Sequence, residues 1–277
     1  MINLVDVNLE NPEYEVIELY PRVLVFRNIL PDIDNLYQIM KKSEASSEGK
    51  YFLKTWDQWS IFGTYSQHKE SSDPAEYGEI YDEEKYFAQA VSDAYIKSLS
   101  HYVKKYDVDL PKDAYFSGSS FSKYNPNVDK MENKMTMQYH TDYIVSQKDM
   151  PGPKFFITCT MYINDDYDGG DIEFFVDNKL INHKPKAGDI VIFPSGEPYY
   201  HGVKLIENGY KFFVRNFVMV PYAGSDEWLD NQRRFGAYRW ARMEEERIDQ
   251  EDPKNMVYLH NGERITHEQA QSGYHML

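Results

Sequence analysis

His140 and Asp142 stand one residue apart in the run Thr136-Met137-Gln138-Tyr139-His140-Thr141-Asp142, and His201 follows 61 residues after His140. If that run is a strand, alternate side chains share a face, so the imidazole and the carboxylate project together. Two metal ligands then converge on one point. The interval to His201 leaves room for several strands, which can bring a third ligand in from across a β-structure. A His two residues from an Asp often arises by chance, and a solvated surface pair is its common structural reading. The third residue turns the pair into a constellation.

Two histidines and one carboxylate cover one face of an octahedron and leave three positions open, the site type of non-haem iron oxygenases. Oxygen and a chelating cosubstrate need those positions together, and a closed four-ligand structural site forbids them. Competing metal readings lack their residues. A cupin-type centre wants a second His close to the first and a Glu, and the zincin run His-Glu-x-x-His is absent. His68, His101, His183, His260, His267 and His275 lie in polar or helical surroundings with no partner at ligand spacing. They are read as solvated or structural.

Ten residues after His201, Lys211 opens the apolar run Phe212-Phe213-Val214-Arg215-Asn216-Phe217. A cation entering a buried β-structure is costly unless an anion meets it. The far carboxylate of a chelated cosubstrate is such an anion; a Lys at the exposed start of an edge strand is the competing reading. The turn Glu207-Asn208-Gly209 separates two hairpins. A two-residue Asn-Gly loop pairs Ile206 with Lys211 and turns Lys211 away from the His201 face. A three-residue loop with Gly209 left-handed pairs Ile206 with Tyr210 and puts His201, Lys211 and Arg215 on one face, so a metal site with a cationic anchor predicts the longer loop or an equivalent bulge. On that pairing Arg215 lies opposite His201, and Lys211 lies four residues along, roughly 13 Å at strand rise. Lys211 is then the favoured anchor.

The elements that must position these residues follow from periodicity. Residues 22–29 read as a strand, and Leu30-Pro31-Asp32 breaks it and starts a helix to about Lys42. From Asp82 to Tyr106, Phe87, Val91, Ala94, Tyr95, Leu99, Tyr102 and Tyr106 recur on one helical face. Residues 44–80, with Trp56 and Trp59, read as loops with short strands. Strand-like runs follow at 115–124, 134–143, 155–163, 171–177, 188–193, 199–206 and 211–220, a spacing that suggests a sandwich, barrel or jelly roll. Residues Ser225 to about Ile248 read as a C-terminal helix docked on the core. Thr266-His267-Glu268-Gln269 is a capping-box pattern for a short last helix.

Composition narrows the setting. A chain of 277 residues fits one large domain. Its 24 Tyr and 15 Phe favour strands. The formal charge of −15, with no dense Lys/Arg run, opposes binding to a phosphate backbone. Cys159 is the only cysteine, which rules out an intrachain disulfide or a Cys-based zinc cluster and fits a reducing compartment. The opening Met-Ile-Asn-Leu-Val-Asp-Val-Asn-Leu-Glu shows neither a basic leader nor a long apolar run, and no stretch approaches a membrane span. A cytoplasmic protein with no membrane partner is the expectation.

The ordered set His140-x-Asp142, Gly169-Gly170, His201 and Lys211 resembles the prolyl 4-hydroxylase branch of the iron(II)/2-oxoglutarate-dependent oxygenases, over about residues 20–222. Phe26-Arg27-Asn28-Ile29-Leu30-Pro31-Asp32 is similar to the family's opening strand and turn. Phe121-Ser122-Lys123-Tyr124-Asn125 is similar to its tyrosine-bearing strand, and Ile157 to Asp166 to the strand that leads to its Gly-Gly turn. The resemblance implies an α+β fold whose core, about 115–222, is a double-stranded β-helix (jelly roll) flanked by N-terminal supporting helices and a C-terminal helix. It implies an oxygenase domain over 1–224, with 225–277 as a helical extension and tail packed on it. Iron(II) is expected on His140, Asp142 and His201. The far carboxylate of 2-oxoglutarate is expected on Lys211, with Tyr124, Tyr162, Thr158, Thr160 and Arg215 as further candidates around it, and ascorbate as a possible reductant. The implied reaction consumes molecular oxygen, releases succinate and CO2, and hydroxylates an aliphatic C–H, a peptidyl proline first. The departures are Asp171-Ile172, where collagen-type enzymes carry Glu-Thr, and the segment beyond Ser225, which has no counterpart. A free amino acid or other small molecule is the alternative substrate. The rival readings are a hydrolase using the same three ligands, against which Lys211 argues, and a non-catalytic jelly-roll binding module.

Overall fold

In the computed structural model, the described residues are 2–46, 51–52, 56–60, 78–117, 119–126, 135–142, 154–220, 258–260 and 263–265. The expected helices after Ser225 and at Thr266, and the domain division at 224, lie outside them. The chain begins with strands β1 (Glu15–Tyr20) and β2 (Val23–Arg27), then helix α1 (Ile33–Ser46), β3 (Tyr51–Phe52), β4 (Trp56–Ser60) and helix α2 (Gly78–Tyr106). Strands β5 (Tyr115–Phe116), β6 (Ser120–Tyr124), β7 (Met135–His140), β8 (Lys154–Tyr162), β9 (Asp168–Gly169) and β10 (Ile172–Val176) follow. Next come β11 (Lys179–His183), β12 (Ile190–Pro194), β13 (Tyr200–Lys204), β14 (Ile206–Asn208) and β15 (Lys211–Val220). The last two, β16 (Tyr258–His260) and β17 (Glu263–Ile265), pair as a small ribbon.

A nine-stranded sheet in the order β1-β2-β12-β8-β15-β6-β4-β3, with β5 also on β15, forms the platform. Alternation divides its residues between two cores. Leu24, Phe26, Cys159, Met161, Ile190, Ile192, Phe212 and Val214 point to the helices, where they meet Leu36, Ile39 and Met40 of α1 and Phe87, Val91, Tyr95 and Leu99 of α2. The α2 positions are spaced by three and four, one helical stripe, and burying each such large side chain contributes roughly 1.5–3 kcal/mol. The helix stops at Asp107, whose φ of 47° takes the left-handed form, while Val108 N–H returns to the Val103 carbonyl at 3.0 Å. Lys104 and Lys105 in the last turn complement the helix dipole.

The other face of the platform carries Val23, Val25, Tyr124, Tyr162, Val191, Phe193 and Phe213, packed against Ile172, Phe174, Val176 and Val203. These last four belong to a four-stranded antiparallel sheet, β11-β10-β13-β7. The α+β class stands, but the expected jelly-roll core is not found, because among the described residues no sheet closes on itself. The platform ends in β1 and β3 and the smaller sheet in β11 and β7, while β14 and β9 pair as a separate ribbon. The sequence pattern of short alternating runs is the same for open and closed sheets. Closure depends on whether edges meet, and here β1 and β3–β4 extend the platform outward instead.

The expected hairpin between His201 and Lys211 is also absent. β13 pairs with β10 and β7, β15 with β8, β6 and β5, and Ile206–Asn208 pairs with β9. Neither loop register applies, since Asn208-Gly209 carries the chain from one sheet to the other. Gly209, at φ 75°, makes that crossing where an added Cβ would lie 2.9 Å from the Asp166 carbonyl oxygen. Arg215 consequently pairs with Thr160 and Ser120, not with His201.

Candidate metal centre

β7 and β13 run side by side with His140 opposite His201, and their ring centroids are 4.4 Å apart. The close approach needs the next residue to be glycine. A Cβ on Gly202 would stand 2.9 Å from both the Met137 carbonyl oxygen and the Met135 Cε. Asp142 follows two residues beyond the end of β7 and turns its carboxylate to both rings. Its Oδ1 is 3.6 Å from His140 Nε2 and its Oδ2 is 3.4 Å from His201 Nε2. Among the described residues this is the group able to hold a metal ion, its ligand atoms all within 4.8 Å of one another.

Both rings are turned by the backbone. Nδ1 of His140 lies 2.8 Å from the Gln138 carbonyl oxygen and Nδ1 of His201 lies 3.3 Å from that of Tyr199. An Nδ1–H donated to each carbonyl leaves the Nε2 lone pair free, the tautomer a metal ligand requires. Phe193 at 4.6 Å and Phe174 at 6.0 Å wall the His201 ring. Burial pushes the His201 imidazole down to about 4, only partly countered by Asp142. Burial alone would raise the Asp142 carboxyl, but His201, then His140 and Arg215, outweigh it and hold the acid well below the usual carboxylate range. A neutral imidazole beside an ionised carboxylate is what a divalent cation needs. The donor set therefore fits iron(II), for which two imidazoles and one carboxylate are a suitable facial set.

Lys211 opens β15 on the face that carries Phe213, directly opposite Tyr124 of β6, and is fully buried. Its ammonium donates to the Gly170 carbonyl and sits 4.5 Å over the Tyr162 ring and 5.5 Å over the Tyr167 ring. Burial, then the neighbouring Lys184, pushes this ammonium well below the usual lysine range. Tyr124 stacks on Phe213 at 4.6 Å, so the two tyrosines and the lysine share the space between the sheets that Phe193 and Phe174 close around His201. Thr160 is buried on the same face of β8, across from Arg215. Thr158 is engaged elsewhere: its hydroxyl donates to Asp142 Oδ2 at 2.7 Å.

Two contributors escaped the sequence reading. Ser195 lies 2.8 Å from the Thr158 hydroxyl, and Tyr167 lies under Lys211 with its hydroxyl buried and without a hydrogen-bond partner among the described residues, while Gly170, named there in the Gly-Gly turn, offers Lys211 its carbonyl. Ser195 was reachable by parity, since it continues the alternation of Val191 and Phe193 two residues past the predicted strand 188–193. Tyr167 sits in a turn, where no period exists to follow.

Residues 126–219 match the family model of the 2OG-Fe(II) oxygenase superfamily, a span that contains all three triad residues and Lys211. No curated protein sequence matches the chain. Among solved structures, a dioxygenase for auxin oxidation from rice is similar with a TM-score of 0.50 and 12% identity, covering 78% of this chain and 86% of that one. A prolyl hydroxylase from Trichoplax adhaerens, solved with a hypoxia inducible factor peptide fragment, gives 0.47 at 14% identity, covering 71% and 83%. A Pseudomonas putida prolyl-4-hydroxylase gives 0.43 at 16% identity, covering 71% and 91%. At these identities the rice enzyme speaks to the fold alone. The three residues of the candidate metal centre and Lys211 all fall inside the segment that is similar to the 2OG-Fe(II) oxygenase superfamily.

Proposed function

We propose that this protein hydroxylates an aliphatic C–H, a prolyl residue in a peptide or protein first, with iron(II) held by His140, Asp142 and His201. The observation that carries the reading is the meeting of an open three-ligand set with a buried cation on facing sheets of one interior space. When bound, iron with 2-oxoglutarate and oxygen supplies oxidative decarboxylation to succinate and CO2 and the insertion of one oxygen atom into a C–H bond. The chain's own residues bind, orient and exclude water. Lys211 receives the far carboxylate of 2-oxoglutarate, releasing the Gly170 carbonyl, and Tyr124, Tyr162, Thr160 and Arg215 line the same face. Phe174 and Phe193 keep water from the His201 side. Ascorbate serves as reductant, the oxygenase unit spans 1–224, and 225–277 is its extension.

A peptidyl proline is preferred because the ordered motif set, from Tyr124 through His140-x-Asp142 and Gly169-Gly170 to His201 and Lys211, is similar to the prolyl 4-hydroxylase branch. The test is conversion of 2-oxoglutarate to succinate with iron(II) and ascorbate, abolished in Asp142→Ala, followed by a peptide-library screen for the mass of one added oxygen. Turnover stimulated only by free amino acids moves the substrate to small molecules. A protein that binds neither metal nor 2-oxoglutarate overturns the enzyme reading in favour of a binding module.

A further inference from the structure

The carboxylate of Asp142 is held from the opposite sheet. Thr158 Oγ1 donates to its Oδ2 at 2.7 Å, and Ser195 Oγ lies 2.8 Å from the same threonine oxygen. A hydroxyl has one proton to give. Thr158 gives its proton to the carboxylate, so the hydroxyl–hydroxyl bond runs from Ser195 to Thr158. Both are out of water, at 1% and 0% exposure, and solvent cannot substitute for either bond. The pair is rooted in the platform, on β8 and just past the end of β12, whereas Asp142 follows β7 of the smaller sheet. The bond therefore fixes one ligand's orientation from outside its own sheet.

That restraint bears on how many ligand atoms Asp142 can give. Two imidazoles and a single carboxylate oxygen leave three of six positions, two for a chelating keto acid and one for oxygen. A carboxylate that turned both oxygens to the metal would occupy one of those three. We propose that Thr158 and Ser195 are positioning residues that tie Oδ2 of Asp142 to the platform and so hold the carboxylate to one-oxygen ligation. The inference rests on the metal reading given under Proposed function.

The experiment uses full-length, metal-stripped protein with manganese(II) as probe, free ion being followed by electron paramagnetic resonance. Cobalt(II) absorption, with and without 2-oxoglutarate, reports coordination. Thr158→Val removes the proton and keeps the shape. It is expected to weaken manganese binding by about 10- to 100-fold, the usual effect of losing an outer hydrogen bond on a ligand, and to alter the cobalt spectrum with 2-oxoglutarate. Thr158→Ser restores both, and Ser195→Ala falls between. Circular dichroism melts check that each variant is folded. Should Thr158→Val fail to fold, the comparison of Ser195→Ala with Thr158→Ser decides by the same readouts. Wild-type affinity and an unchanged cobalt spectrum in folded variants lacking either hydroxyl overturn the proposal. If Asp142→Ala also binds manganese as wild type does, the metal reading itself fails; if only the Thr158 and Ser195 variants do, the positioning role alone fails.

Discussion

His140 faces His201 across neighbouring strands with ring centroids 4.4 Å apart, and both Nε2 atoms look toward one carboxylate, that of Asp142. Without metal the buried His201 makes the arrangement sensitive to acid. His201 is pushed down to about 4 by burial from an ordinary value of 6.5. Between those values the unfolded chain binds a proton that the folded one refuses, so metal-free stability falls as pH drops from 6.5 to 4. The shift corresponds to about 3 kcal/mol. Below the ordinary Asp value of 3.8, loss of the lowered Asp142 acts in the same direction. Urea unfolding across this window should show the slope in wild type and a flatter one in His201→Gln. His101, also lowered by burial, and the lowered Glu18 contribute to the slope that remains.

Replacing Lys211 by Met separates binding from stability. Among the described residues the buried ammonium meets a carbonyl and two rings, and Lys184 opposes its charge while Asp171 favours it, so removing it relieves a desolvation cost. Metal-free Lys211→Met should unfold at the same temperature as wild type or higher. The thermal stabilisation by 2-oxoglutarate plus manganese should fall to that of manganese alone, as differential scanning fluorimetry can show.

Gly202→Ala is expected to be destabilising by about 1–3 kcal/mol, as overpacking usually is, because the new methyl meets the β7 backbone. The same displacement moves His140 away from His201. Chemical denaturation together with a manganese titration would detect both losses, and an alanine variant with unchanged metal affinity would contradict the close-approach argument.

Asp189 is fully buried and accepts hydrogen bonds from Arg27 at 2.8 and 2.9 Å and from the Lys186 N–H at 2.9 Å. Asp189→Ala leaves the part-buried Arg27 guanidinium with Glu15 at 3.7 Å and removes the acceptor of the Lys186 N–H. A loss of about 1–3 kcal/mol is expected, measured by urea midpoint, with His140, Asp142 and His201 untouched.

The two helices were legible because each has one buried stripe and therefore a period, and the seven strand-like runs from 115 to 220 because short apolar and aromatic runs end at turn residues, even where both faces are buried, as in β10 and β12. β1 and β11 were not. Glu15–Tyr20 and Lys179–His183 are edge strands with mostly exposed or half-buried residues, and nothing in them alternates cleanly. The spacing His140-x-Asp142 was visible in the strand because neighbours along a chain share a geometry. The relation of His201 to Lys211 was not, because it was sought in a local turn while the fold made it between two sheets. Asn208-Gly209 carries the same signal in a hairpin and in a crossing. The partners of Thr158 and Lys211 lay at a distance in sequence that no local pattern measures.

The division of β15 between its two faces has a consequence for how this protein can vary. Phe212 and Val214 serve the helix-side core, while Lys211 and Phe213 serve the interior between the two sheets, toward His201. Inserting or deleting one residue upstream in that strand would move the charge beneath the helices and a phenyl ring into its place. Substitutions in β15 can be absorbed singly, but a change of length cannot, so natural variation in length should collect at the turns and leave this strand's count fixed.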